Sequence, residues 1–103
     1  MTGVPVGISN NNSEIPAEFS MFQNYPNPFN PSTTIKFNMP RAEFVSLVVY
    51  DALGTQVRTL VNELVQAGTN QVSFEAPELS SGIYFYTIKT PSFTETKKMM
   101  LIK

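Results

Sequence analysis

Turn-forming residues interrupt this chain roughly every ten positions, and the apolar runs between them are too short for helices. No sustained period of 3.6 accompanies them; where a run is long enough to judge, as in Thr33 to Met39, apolar and polar residues alternate. A chain divided this way buries an apolar face only by pairing strands, which predicts an all-β sandwich or barrel. Its 103 residues, 42% of them apolar and including eight Phe and four Tyr, suffice for one modest core.

The runs themselves can be placed. Phe19 to Gln23 reads as a short first strand. Asn24 to Ser32 is a loop, because Pro26, Pro28 and Pro31 donate no ladder hydrogen bonds. Thr33 to Met39 places Ile35, Phe37 and Met39 on one face. Phe44 to Tyr50 is too apolar for a half-exposed strand, so it is expected to be central, with Val45, Leu47 and Val49 inward. Asp51-Ala52-Leu53-Gly54 fits a type I turn closed by a glycine at positive φ. Gln56 to Asn62, Gln71 to Glu75, Ile83 to Thr90 and Thr94 to Ile102 complete an expected count of seven strands. Residues 1–18, with Gly3, Gly7, Pro5, Pro16 and consecutive asparagines at 10–12, have linker composition and read as a tether to an upstream cargo, with the domain proper over 19–103.

Leu79-Ser80-Ser81-Gly82-Ile83-Tyr84 has the form of a tyrosine corner, in which a Tyr at the start of the sixth strand returns its hydroxyl to the backbone just upstream. An ordinary hairpin with a buried Tyr fits the same letters. Either way Tyr84, Tyr86 and Ile88 share the inner face.

Composition narrows function as sharply as fold. Without Cys or His, disulfides, thiolate metal sites, Cys nucleophiles and the commonest general base are absent. A net charge of −1 provides no global field for nucleic acid, and no apolar run approaches the ~20 residues of a helical membrane span. Glu75 and Glu78 flank the turn before Tyr84 and are close enough in sequence for a carboxylate pair, yet acids flanking a turn are ordinarily solvated. Asn24, Asn27, Asn30 and Asp51 offer oxygens for calcium, but turn formation explains the same residues, and no cofactor is expected. The chain reads as a non-catalytic module.

Two segments remain to carry a function. Tyr25-Pro26-Asn27-Pro28-Phe29-Asn30-Pro31 is stiffened by its prolines, and Tyr25 and Phe29 either cap one end of the sandwich or, with Phe93, form the exposed aromatic set. Lys97-Lys98-Met99-Met100-Leu101-Ile102-Lys103 ends a region that holds four of the seven basic residues and no acid after Glu95. Lysines there either protect a sheet edge or mark a strand offered to a receptor, for instance by strand addition.

YPNPFNPSTTIKF (25–37), VYDALGTQVRTLV (49–61), LSSGIYFYTI (79–88) and TKKMMLIK (96–103) resemble, in order, blocks of the type A C-terminal sorting domain of the type IX secretion system. That family is itself similar to the immunoglobulin-like segment of the flagellar hook-capping protein. The resemblance implies a seven-stranded, immunoglobulin-like antiparallel β-sandwich. It also implies a role as export signal: a cargo of Bacteroidota reaches the periplasm, its sorting domain is recognised by the outer-membrane translocon, and a sortase-like peptidase removes the domain and anchors the cargo at the cell surface. On this chain the family's motif residues fall on Pro26 and Pro28, on Gly82, Tyr84 and Ile88, and on Lys98 and Lys103 with Lys97 adjacent. The lysines are the expected translocon contacts and the other motif residues are expected to be mainly structural. No direct membrane insertion is implied. The competing readings are a carbohydrate-binding or adhesive module using Tyr25, Phe29 and Phe93, and a structural module of a filament or cap.

Overall fold

The computed structural model describes residues 15–103, so most of the expected tether over 1–18 lies outside the described residues. Seven antiparallel strands follow: β1 (Ser20–Met21), β2 (Ser32–Met39), β3 (Glu43–Asp51), β4 (Gln56–Val65), β5 (Gly68–Glu75), β6 (Gly82–Thr90) and β7 (Phe93–Leu101). They form a three-stranded sheet, β1-β2-β5, and a four-stranded sheet, β4-β3-β6-β7. No helix occurs among the described residues, and the arrangement is an immunoglobulin-like sandwich.

Alternation decides which side chains meet between the sheets. Ile35, Phe37 and Met39 of β2 face Val45, Leu47 and Val49 of β3, with Phe74, Tyr86, Ile88, Met99 and Leu101 closing the core, all essentially without solvent contact. β3 lies between β4 and β6 and also buries Val48 on its outer side, which is why its sequence is apolar on both faces. At the β3–β4 hairpin, Gly54 takes φ +87° and donates to the Asp51 carbonyl at 3.0 Å. The Asp51 carboxylate there accepts from the backbone of Leu53 and Thr55 at 3.0 and 2.9 Å.

Three elements differ from expectation, one of them β5, which begins at Gly68, three residues before the expected Gln71. The first strand is only two residues long, because the Phe22 carbonyl and the Asn24 N–H leave the β2 ladder for the Tyr86 hydroxyl of the other sheet. β4 runs three residues past Asn62, to Val65, and its register against β3 shifts twice, between Leu47 and Val48 and between Val49 and Tyr50. These bulges bring Arg58 opposite Val49, on the inner side, where its guanidinium lies 5.4 Å from the Phe74 ring. Arg58 also pairs with Glu78 and donates to the Glu75 carbonyl at 3.2 Å, so the carboxylate of Glu78 is engaged in closing an edge.

Candidate functional site

The tyrosine corner forms: the Tyr84 hydroxyl donates to the Ser80 carbonyl, four residues upstream, at 2.7 Å. Gly82, at φ +155°, starts β6 in a conformation that side-chain-bearing residues rarely adopt. Ile88 is buried in the same strand. All three lie in β6, the partner against which β7 is aligned, with Gly82 opposite Leu101 and Phe85 opposite Lys98.

The proline loop is tied to β7 as well. Tyr25 brackets it through paired backbone bonds with Thr34, both 3.0 Å, and the Tyr25–Pro26, Asn27–Pro28 and Asn30–Pro31 peptides are cis. The buried Asn24 side-chain amide donates to the Pro26 carbonyl at 3.1 Å and to the Thr33 hydroxyl at 3.0 Å, which gives the loop its internal scaffold. From that scaffold Phe29 runs alongside Leu101 as a parallel bridge. Its N–H donates to the Met100 carbonyl at 2.9 Å and its carbonyl accepts from Ile102 N–H at 3.0 Å. The Asn27 side-chain oxygen accepts from Met100 N–H at 3.0 Å, and the Gln23 amide donates to the Lys98 carbonyl at 2.7 Å. The outer edge of β7 from Lys98 to Ile102 is therefore occupied within the chain. Strand addition by a receptor over that stretch is excluded unless the loop leaves, which corrects the reading of an open, receptor-ready strand.

The aromatic set also needs correction. Phe29 is 1% exposed and packs against Phe74 with ring centroids 5.8 Å apart, so it caps the core and is not a surface group. Phe93 is half-buried, stacked on Phe19 at 5.5 Å, with Arg41 over Phe19 at 5.2 Å. Beside it the Ser92 hydroxyl donates to Glu43 at 2.7 Å and holds that carboxyl below its ordinary pKa, with Arg41 assisting from 3.0 Å. Tyr25 alone of the three stands out, 81% exposed, over a groove of about 370 Å³ that it shares with Phe22, Gln23 and Lys36.

The three candidate lysines have different environments. Lys97 points along the inner side of β7, half-buried, 3.3 Å from Glu95. The Lys103 ammonium donates to the carbonyls of Pro77 and Leu79, the latter at 3.0 Å, and its N–H donates to Ser81 at 3.0 Å. It clamps the end of the chain onto the tyrosine-corner loop. Lys98 projects from the outer face, exposed, and forms no ion pair among the described residues.

Lys98 and Pro28 meet there. Together with Asn27, Ile83 and Met100 they line an open groove of about 250 Å³ between the proline loop and the β6–β7 face. Met100 is 40% exposed, an apolar side chain left partly open to solvent there. Two motifs 70 residues apart by number thus form one surface, cationic at one side and apolar at the other. Sequence reasoning passed over its neighbours Phe85 and Tyr50, which lie in register with Lys98 across the same face. Strand alternation is the signal that would have found them.

Among the described residues no three acidic, His or Cys groups gather as metal ligands, and no helix is long and apolar enough to cross a membrane. A family model, the secretion system C-terminal sorting domain, matches residues 23–103, which takes in every strand but β1. No curated protein matches the chain. The family serves as the C-terminal sorting signal of type IX secretion, and its membership implies a secretion system and a fused cargo as partners. It implies passage through the periplasm to the cell surface or beyond, and suggests a non-catalytic role; a carbohydrate-binding or adhesive reading is not favoured. With the match spanning the proline loop, the tyrosine corner and the lysine-bearing strand together, this chain belongs to the secretion system C-terminal sorting domain family.

Proposed function

We propose that this domain performs no reaction and is read by the type IX translocon at the groove between Pro28 and Lys98, after which a sortase-like peptidase acts in the tether over 1–18. The observation that supports this reading is the exposure of Lys98 beside Pro28, Ile83 and Met100, where the family's two most separated motifs adjoin. A translocon must recognise many cargoes by a shared folded shape. A rigid groove assembled from two distant segments exists only in the folded domain, so it reports that folding is complete. Lys103 and Lys97 serve the same surface indirectly, Lys103 by pinning the last residues and Lys97 by its pairing with Glu95.

The test is export of the cargo-bearing chain in cells that possess the system. Removing residues 23–103 is expected to leave the cargo in the periplasm; undiminished export would overturn the sorting role. Lys98→Ala is expected to impair export while the domain stays folded, and native-level export of that variant would move the contact elsewhere.

A further inference from the structure

The edges of the two sheets are not equally protected. From Lys98 onward the β7 edge is held by the proline loop, and Phe22 and Tyr25 extend the cover that β1 gives to β2. The β4 edge is bent by its two register shifts and carries Arg58 and Glu63. β5 has none of these devices. It pairs with β2 in unbroken register from Gly68 to Glu75, and from Gly68 to Phe74 it holds no charge and no proline.

Alternation fixes which way its backbone points. Thr34 exchanges bonds with Tyr25, and the Lys36 carbonyl accepts from Phe22, so neither turns to its β5 register partner, Ser73 or Gln71. The Ala76 N–H donates to the Pro31 carbonyl at 3.0 Å, which puts Phe74, Val72 and Asn70 in phase as the residues bonded to β2. The N–H and C=O groups of Thr69, Gln71 and Ser73 therefore point out of the sheet over about 14 Å, without a partner among the described residues. Beside them the sheets part into a groove of about 360 Å³ between β5 and β4, lined by Phe37, Leu60, Val61, Val65 and Val72. Glu63, on the same side of its sheet as the buried Val45, is the one charged residue lining the groove and forms no ion pair among the described residues.

We infer that β5 accepts an added antiparallel strand from a partner protein: an extended segment with aliphatic side chains at alternate positions, followed by a Lys or Arg two residues on. The three edge residues supply the ladder, the groove takes every second side chain, and Glu63 takes the cation at the end nearest Gly68. A second copy of β5 fits less well, because its inward side chains, Phe74 among them, are committed to its own core and would leave the groove unfilled. Residues 1–14 contain no Lys or Arg, and with Val4, Val6 and Ile8 turned inward Pro5 falls where an N–H must donate to β5. The site uses neither Lys98 nor the proline loop, so it goes beyond the sorting role and stands or falls separately from it.

The test is titration of the 103-residue chain with the peptide acetyl-TVTVTK-amide, followed by amide hydrogen exchange. Saturating peptide is expected to slow exchange about tenfold or more at Thr69, Gln71 and Ser73, and to leave Asn70 and Val72, already bonded to β2, within about twofold. Glu63→Lys is expected to bind this peptide about tenfold more weakly and to prefer acetyl-TVTVTE-amide. Gln71→Pro removes an N–H that the fold does not use and is expected to abolish binding. Unchanged exchange at the three edge amides of the native chain at millimolar peptide would overturn the site, whether or not the proline variant folds. Equal affinity of Glu63→Lys for the two peptides would remove the charge match that selects the occupant. Concentration-dependent dimers in sedimentation equilibrium that Gln71→Pro abolishes would also overturn it by giving the edge to a second copy. Protection of the same amides without peptide, lost on removal of residues 1–14, would give the edge to the tether instead.

Discussion

The hydroxyl of Tyr86, on the inner face of β6, accepts the backbone N–H of Asn24 at 2.7 Å and donates to the Phe22 carbonyl at 2.9 Å. One phenol of the four-stranded sheet thus terminates the first strand of the other sheet and starts the proline loop. Burial around it pushes its pKa up to about 12. The bonds satisfy backbone groups that leave the β1–β2 ladder where no strand partner is available.

Tyr86→Phe is accordingly expected to cost about 1–3 kcal/mol, since Asn24 N–H is left buried without an acceptor. Urea denaturation followed by tyrosine fluorescence measures it. The raised pKa adds a pH signature of fixed sign. The fold favours the neutral phenol, so its contribution is fully present below pH 10, the ordinary value, and is lost as pH climbs through about 12. Native protein should lose stability across that alkaline window, and Tyr86→Phe should lose less.

Phe29→Ala tests the loop as part of the core. With Phe29 buried against Phe74, the cavity is expected to cost about 3–5 kcal/mol. The loss should be accompanied by faster hydrogen exchange at Met100 and Ile102, whose backbone bonds the loop holds. Stability within about 0.5 kcal/mol of native would show that the loop is a surface flap, since only substitutions away from such packing are that mild.

The tyrosine corner makes two separable predictions. Tyr84→Phe removes one bond to Ser80 and should cost about 0.5–1.5 kcal/mol. Gly82→Ala should cost about 1–3 kcal/mol through backbone conformation alone, because φ +155° strains any L side chain even where there is open space for it. Thermal denaturation of the two variants, and of the pair, distinguishes the mechanisms.

Lys98→Ala and Lys103→Ala should diverge in stability as their environments do. The Lys98 ammonium forms no ion pair among the described residues, so its loss is expected to leave stability within about 0.5 kcal/mol of native. Lys103 caps two carbonyls, and its loss should fray the end of the chain, read as increased proteolytic trimming up to Met99. Equal behaviour of the two lysines would remove the distinction drawn between them.

Much of this is legible in the sequence. Period-two alternation assigned the inward residues of β2, β3 and β6, because a strand has only two faces and the core accepts only the apolar one. Turn chemistry located the Asp51–Gly54 hairpin, and local spacing located Tyr84, whose hydrogen-bond partner is only four residues away. Capping by Phe29 was one of two readings open in the sequence; its partner Phe74, the pinned Lys103 and the surface joining Pro28 to Lys98 were not legible, since each depends on segments distant in sequence. Local composition determined which residues form strands and which sides of them are dry. Only tertiary packing decided which lysine faces solvent, which edge is already paired and which distant motifs adjoin, because a charged side chain's environment is set by what folds over it and not by its neighbours along the chain.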